Sequence, residues 1–137
     1  MGVVLVDSNV VLDLSEPASA WHDWAIRQLE ATDEGHRIVA NAVVYCEVSI
    51  GFDAIEECEA LFRHLLLDLI EIPREALFLA GKAFLAYRRR GGMRTAVLPD
   101  FFIGAHAAVL GMTLLTRDAR RYRTYFPTVS LIAPGAH

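Results

Sequence analysis

Short apolar runs alternate along this chain with longer segments that have the periodicity of helices. The first run, Val3–Val6, is apolar and β-branched almost throughout, which suits a strand buried on both faces of a sheet. Four later runs are also predicted to be strands: Arg37–Ala40, Leu69–Ile72, Thr113–Thr116 and Val129–Ile132. Strands that alternate with helices build βαβ units. The pattern therefore predicts an α/β fold with a central, mostly parallel sheet of four to five strands flanked by helices.

The segments between these runs are predicted to be helices with recognisable ends. Gly35 and Gly111 stop two of them, and Pro99 suits the first turn of another. The predicted helices span Ala18–Glu34, Asn41–Phe52, Ala54–Leu67, Arg74–Arg90 and Pro99–Leu110, with a short helical turn within Arg117–Tyr125. A length of 137 residues suits one ordinary domain, and no repeat or linker interrupts the chain. We therefore expect a single domain over residues 1–137.

The chain is more apolar than an average soluble domain, with 54% hydrophobic residues and a mean hydropathy of +0.33. No run approaches the 18 or so apolar residues of a membrane span, and the start of the chain does not resemble a secretory signal. Cys46 and Cys58 show no metal-type spacing, so we expect two buried, reduced thiols. We expect a cytoplasmic protein without membrane contact, and the apolar surplus favours a homodimer.

The net charge of −4 argues against a protein that simply coats nucleic acid. Lys82 is the only lysine, and the other twelve cationic residues are arginines, which can bind phosphate bidentately. Several arginines cluster and are candidates for contact with RNA, although a solvated helix end, favoured by the helix dipole, is the more common explanation for the first three. These candidates are Arg88, Arg89, Arg90, Arg94 and Arg117.

Two aspartates stand at the carboxyl ends of predicted strands. Asp7 ends the run Val3–Val6, and Asp118 lies two residues past Thr116. The carboxyl edge of an open α/β sheet is where ligand sites form. Either aspartate could instead only cap the helix that follows it.

Two further acidic residues lie on predicted helices. The helical neighbours of Glu47 are apolar or small, and none is basic, so its carboxylate needs a cation, hydrogen bonds or a raised pKa. Asp100 follows Pro99 in a first helical turn, where the helix dipole favours negative charge. If these residues and the two strand-end aspartates converge, their mutual repulsion calls for a hard divalent cation such as Mg²⁺ or Mn²⁺.

Four segments carry a resemblance to a known family. They are VLVDSNVVLDL at 4–14, NAVVYCEVSIGF at 41–52, LPDFFIGAHAAVLGMTLLTRDARRY at 98–122 and SLIAP at 130–134. In this order they resemble the PIN-domain family, and within it the VapC-like toxins. The apolar strand leading into D-S-N, and the P-D helix followed by a strand leading into T-R-D, are the most specific. Two departures are mild: Ser8 stands where threonine is frequent, and Gly104 where alanine or another small residue is usual.

The resemblance implies a three-layer PIN-like fold and a metal-dependent endoribonuclease that cleaves RNA phosphodiester bonds as the toxin of a toxin–antitoxin pair. It assigns catalysis and metal binding to Asp7, Glu47, Asp100 and Asp118, and accessory polar roles to Asn9 and Thr116. The implied cofactor is Mg²⁺ or Mn²⁺, and the implied partners are RNA and a cognate antitoxin. His106 is expected to pack or face solvent rather than to bind metal.

Three other functions fit parts of the pattern. A PIN nuclease in RNA maturation would have the same acidic residues and differ in its genetic context. A catalytically inactive PIN domain would only bind partners, against which the complete acidic set argues. A response-regulator receiver also clusters acids near Mg²⁺, but it needs a lysine after a late strand, and Lys82 lies in a predicted helix.

Overall fold

Five parallel strands form one sheet in the order β3-β2-β1-β4-β5 in the computed structural model of the chain, which describes residues 2–33 and 35–135. The strands are β1 (Val3–Val6), β2 (Arg37–Asn41), β3 (Asp68–Ile70), β4 (Thr113–Leu115) and β5 (Leu131–Ile132). The helices are α1 (Ser8–Ser15), α2 (His22–Asp33), α3 (Ala42–Ser49), α4 (Ile55–His64), α5 (Arg74–Arg89), α6 (Pro99–Leu110) and α7 (Arg120–Tyr125). The predicted α/β fold with a parallel sheet flanked by helices is confirmed.

The most apolar strand lies at the centre of the sheet. In β1, Leu5 and Val6 have no exposed surface, and Leu5 pairs with Val39 of β2 on one side and Leu114 of β4 on the other. A strand that is apolar at every position can only be stable where both faces are covered. The carboxyl ends of β1 and β4 consequently meet in the middle of one edge of the sheet, where Asp7 and Thr116 begin the next segments.

Several helix ends differ from those expected. The helix predicted over Ala18–Glu34 begins at His22, because the residues before it form hydrogen-bonded turns, with the amide of Ser19 donating to Glu16 and that of His22 donating to Ser19. Glu34 lies outside the described residues. The helix predicted to reach Leu67 ends at His64, and Leu66 adopts a left-handed φ of 57° that no helix can continue through.

The surface retains several large apolar side chains. Leu66 and Phe78 are 77% and 68% exposed, and Leu77 and Leu85 also lie at the surface of α5. Cys58 is buried but Cys46 is exposed, so the prediction of two buried thiols was wrong for Cys46, which lies on the outer side of α3. Over the described ranges, no helix is both long and apolar enough to cross a membrane.

Helix α6 packs unusually close to the chain that follows α7. Gly104 is buried there, and an added Cβ would overlap the ring of Phe126, which is itself 3% exposed and packs against Phe101. The absent side chain is therefore required by the approach of the ring. Alanine, which is the better helix former, does not fit without displacing Phe126.

We expect Gly104→Ala to lower the free energy of unfolding by about 1–3 kcal/mol, since overpacking a core outweighs the gain in helix propensity. Phe126→Leu should relieve the overlap, so the same substitution should cost clearly less in that background. Urea unfolding of the two single variants and the double variant measures this coupling. An equal cost of Gly104→Ala in both backgrounds would contradict the close contact.

Candidate active site

Asp7 is the most buried acidic side chain of the candidate site, with 4% of its surface exposed at the carboxyl end of β1. It is the N-cap of α1, and its Oδ1 accepts a hydrogen bond from the amide of Ser8 at 2.7 Å. Its Oδ2 accepts from the hydroxyls of Thr116 and Tyr122, both at 2.8 Å. The helix-capping role weighed for Asp7 is therefore present, and the same carboxylate also ties α1 to β4 and α7.

Burial raises the pKa of Asp7 to about 6. The hydrogen bonds from Tyr122, Thr116 and the Ser8 amide favour the carboxylate and act in the opposite direction, whereas the charge of Asp100 adds to the rise. Three donors therefore do not fully compensate for the lost hydration. At neutral pH, the carboxylate of Asp7 therefore carries a negative charge that its surroundings do not fully stabilise.

Glu47 lies on α3 and faces the start of α1. It is half-buried, and its Oε1 accepts a hydrogen bond of 2.8 Å from the hydroxyl of Ser8. Burial raises the pKa of Glu47, the Ser8 hydrogen bond partly offsets this, and the charge of Asp100 contributes to the rise. The sequence analysis expected Glu47 to need a cation, hydrogen bonds or a raised pKa. The structure shows a hydrogen bond and a raised pKa.

Asp100 lies in the first turn of α6 and is paired with a cation that the sequence analysis did not identify. Its Oδ2 lies 3.0 Å from Nη1 of Arg121, and both side chains are about one-third exposed. Burial raises the pKa of Asp100, the neighbouring Arg121 lowers it, and the charge of Asp118 raises it further. The guanidinium of Arg121 thus already neutralises part of the acidic cluster.

Asn9 on α1 and Thr116 form hydrogen bonds to the loop between β4 and α7 that carries Asp118. Asn9 accepts from the amide of Arg117 at 3.0 Å, and its side-chain amide lies 3.5 Å from the Thr116 hydroxyl. The amide of Asp118 donates to the same hydroxyl at 3.1 Å. Asp118 itself is exposed. Asn9 and Thr116 therefore fix the loop that carries Asp118 beside Asp7.

The chemistry of these oxygen donors fits a hard cation, but the described residues contain no group of three His, Cys, Asp or Glu side chains arranged to hold one. The charge of Asp100 acts on the carboxylates of Asp7 and Glu47 and raises the pKa of each. A divalent cation would offset that repulsion. Asp7, Glu47, Asp100 and Asp118 remain the residues that would hold it.

A second buried acid, Asp13, was missed by the sequence analysis. It is 5% exposed and accepts hydrogen bonds from Nε of Arg117 at 2.7 Å and from the hydroxyl of Ser19 at 2.9 Å. The guanidinium of Arg117 also lies 5.8 Å from the centre of the Trp21 ring. The charge of Arg117, a candidate for RNA contact, is thus already partnered on α1.

The other candidate arginines lie at the end of α5 and in the loop that follows it. Arg88 donates to the carbonyl of Arg94 at 2.6 Å, and Arg90 lies over the ring of Tyr125 at 5.6 Å. Arg89 and the side chain of Arg94 are exposed. These residues therefore present charge at one surface, near α7.

His106 packs in the interior and does not join the acidic residues. It has no exposed surface, and its Nδ1 lies 3.1 Å from the side-chain amide of Asn41. Burial lowers its pKa, and the backbone of Glu71 lies close enough to oppose this, although Nε2 makes no hydrogen bond of good geometry within the described ranges. His106 was expected either to pack or to face solvent, and the structure shows it packed.

The raised pKa of Asp7 predicts a specific pH dependence of stability in metal-free protein. Because the folded carboxyl group binds a proton at higher pH than the unfolded one, this group lowers the free energy of unfolding as pH rises from about 4 to about 6. Relative to the wild type, Asp7→Asn should gain about 3 kcal/mol of stability across that range. Urea unfolding in EDTA at several pH values tests this, and parallel curves for the two proteins would refute it.

Comparison with known proteins identifies the family. The PIN domain matches residues 4–127. A similar fold occurs in VapBC2 from Rickettsia felis bound to a DNA fragment from their promoter, with a TM-score of 0.75 and 18% identity over 96% of this chain and 98% of that chain. DNA-bound VapBC from Salmonella typhimurium has a TM-score of 0.70 and 17% identity over 97% of this chain and 98% of that chain. A toxin–antitoxin complex from Klebsiella pneumoniae has a TM-score of 0.64 and 21% identity over 96% of this chain and 97% of that chain. Comparison with curated proteins finds no match. Since the matched region covers nearly the whole chain, the protein belongs to the PIN-domain family.

Proposed function

We propose that this protein is a metal-dependent endoribonuclease and the toxin of a toxin–antitoxin pair. The observation that carries the proposal is the group of carboxylates at the carboxyl edge of β1 and β4. Asp7, Glu47 and Asp100 come from distant parts of the chain and lie partly or fully buried. Burial raises the pKa of all three, and the charge of Asp100 raises those of Asp7 and Glu47 further. Membership of the PIN-domain family supports the same activity.

The hydrogen bonds indicate which carboxylate oxygens are available to a cation. Oδ2 of Asp7 already accepts from two hydroxyls. Among the described residues, Oδ1 accepts only from Ser8, through the short amide bond and the longer hydroxyl contact. Oδ1 is thus the oxygen of Asp7 with more capacity for a cation. Ser8 orients Glu47 toward the same region. Bound Mg²⁺ or Mn²⁺ would supply a water of lowered pKa and positive charge beside the scissile phosphate.

An apolar groove next to the acids supports an antitoxin as partner. Leu12 of α1 and Ile50 after α3 line it, with the polar residues Asn9 and Glu47 beside them, and Ile50 is 82% exposed. We propose that an amphipathic helix of the antitoxin covers these side chains and places a basic residue near Glu47. Structurally similar proteins were crystallised as toxin–antitoxin complexes.

One observation favours a second candidate, a catalytically inactive PIN domain that only binds partners. Arg121 pairs with Asp100 at 3.0 Å and so provides, from within the chain, a positive charge that a metal ion would otherwise provide. An active enzyme must shift this guanidinium or share Asp100 with it. Metal-dependent cleavage therefore separates the two candidates.

We expect cleavage of single-stranded RNA in Mg²⁺ or Mn²⁺, and none in excess EDTA. Asp7→Asn and Asp100→Asn should each lower the cleavage rate by about two orders of magnitude, because each removes a charged oxygen ligand. Asp68→Asn is the matched control, since Asp68 lies on the edge strand β3 in an exposed ion pair with Arg37 and should keep wild-type activity.

The outcomes of this assay are distinct. Full activity in EDTA would contradict metal dependence. Metal-dependent cleavage that survives Asp7→Asn would mean that other residues bind the metal. Thermal melting supplies the second readout, since a cation that binds only the folded state raises the melting temperature. A metal-induced rise without any cleavage would favour the inactive candidate.

The exposed apolar side of α5 supports a homodimer. Phe78 and Leu85 are separated by two helical turns, lie on the same side, and are 68% and 40% exposed. Light scattering should give a mass about twice the 15.2 kDa of the chain, and Phe78→Glu should give the monomer. Ile55→Glu, at an equally exposed apolar position on α4, should remain dimeric. A monomeric wild type at high concentration would refute the dimer.

A further inference from the structure

An open pocket of about 310 Å³ lies beside Asp100 and Asp118, where the end of α5 meets α6 and α7. Its other walls are Tyr87, Tyr125, Arg120, Arg121 and Thr124. The proposed cleavage chemistry needs the two aspartates but uses neither tyrosine nor the exposed Arg120. The pocket therefore has a composition that the acidic site alone does not explain.

The tyrosine rings are held by the core. The ring centres of Tyr87 and Tyr125 lie 6.2 Å apart, and each ring meets buried Phe101 edge to face, at 5.6 and 5.4 Å. The loop after α5 folds back over Tyr87, whose hydroxyl accepts from the amide of Arg94, and a Cβ at Gly92 would overlap its ring. A ligand that stacks here would not have to order the rings first.

Positive charge surrounds the rings. The guanidinium of Arg121 lies 5.7 Å from the centre of the Tyr87 ring, and that of Arg90 lies 5.6 Å from the centre of the Tyr125 ring. Only one hydrogen bond from Arg121, to Asp100, is formed among the described residues, so further donors of its planar fork remain for an anion. Arg120 is exposed at the same place.

This combination selects one ligand chemistry. Two arginines in the walls disfavour a cation in the pocket away from the aspartates, and the polar walls disfavour a purely apolar ligand. A planar ring attached to an anion matches both features, because aromatic side chains stack on nucleobases and arginine binds phosphate. Each tyrosine has a guanidinium over its ring, but Tyr87 also has Phe84 stacked on it at 5.9 Å, whereas the ring contacts of Tyr125 with Tyr87 and Phe101 are edge-on. Tyr125 is therefore the better platform.

We propose that this pocket is a nucleotide subsite for single-stranded RNA, in which an unpaired base stacks on Tyr125 while Arg120 and Arg121 contact its phosphate. The proposal rests on the proposed ribonuclease function. It assigns the expected preference for single-stranded RNA to a particular residue, since a base must be unpaired to stack on Tyr125. The nucleotide held there lies next to Asp100 and Asp118, so its phosphate is delivered to the acidic residues.

Binding, measured without cleavage, tests the subsite. The protein is the Asp7→Asn variant in EDTA at fixed low salt, and the probe is a short fluorescein-labelled oligouridine followed by anisotropy. In that background Tyr125→Phe should bind as the parent does, and Tyr125→Ala should bind about tenfold more weakly. Tyr45→Ala is the matched control, because Tyr45 is also half-buried against an aromatic ring but lies on α3 away from the pocket, and it should bind normally.

A second probe requires no substitution in the pocket and decides the matter if Tyr125→Ala fails to fold. A ribose-phosphate oligomer of the same length without bases should bind to the parent about tenfold more weakly than oligouridine. Where Tyr125→Ala does fold, it should not weaken the binding of the base-free oligomer further. Arg120→Ala should reduce the salt dependence of binding by about one phosphate contact, whereas Arg63→Ala, an exposed arginine on α4, should not.

The outcomes separate the subsite from the nuclease. Equal binding of oligouridine and the base-free oligomer, equal binding by Tyr125→Ala and Tyr125→Phe, or no binding to the parent would each overturn the subsite. Base-dependent binding that requires Tyr125, in a protein that never cleaves RNA with Mg²⁺ or Mn²⁺, would support the subsite and overturn the proposed ribonuclease. Cleavage of RNA without base-dependent binding would support the proposed ribonuclease and overturn the subsite.

Discussion

A carboxylate buried at the end of the central strand is the constraint around which this molecule is arranged. Asp7 is 4% exposed, and burying an ionised carboxylate costs several kcal/mol unless hydrogen bonds replace its water. The donors are the amide of Ser8 on α1 and the hydroxyls of Thr116 after β4 and Tyr122 on α7. Satisfying this one group thus joins three segments across the middle of the sheet. Its pKa still rises to about 6, so the compensation is incomplete and the edge retains an affinity for positive charge.

The loop that completes the acidic edge is held by a second buried carboxylate. Asp13, one and a half turns along α1 from Asp7, binds the side chain of Arg117, while Asn9 binds its backbone amide. The segment after β4 is therefore bound to α1 at two positions, Asn9 and Asp13. Because Asp118 follows Arg117 directly, its position beside the site depends on an ion pair that takes no part in the chemistry. Breaking an ion pair with an acid that is only 5% exposed is strongly destabilising, since the remaining charge stays buried.

The sequence predicts the elements well and the side-chain contacts poorly. Val3–Val6 is recognisable as a central strand and Pro99–Leu110 as a helix, because apolar pattern and end residues are local. The partners of Asp100 and Glu47 are not local: Arg121 lies 21 positions away and Ser8 lies 39 positions away. No periodicity encodes which of four neighbouring arginines turns toward an acid. The sequence could, however, have identified Asp13 as a buried acid. It lies within the apolar stretch VVLDL and, like Glu47, needs a cation or hydrogen bonds to stabilise its carboxylate.

The ion pair between Asp100 and Arg121 joins the two parts of the proposed site. On one side lie the carboxylates that would hold a divalent cation, and on the other lies the pocket with Tyr87 and Tyr125. A cation bound by Asp100 would weaken the hold of that carboxylate on Arg121, and the guanidinium would then be available to a phosphate in the pocket. Removal of Arg121 from Asp100 by a phosphate would, in turn, leave that carboxylate available to the cation. Since coupling between two ligands is reciprocal, metal and RNA would each strengthen the binding of the other through this single contact.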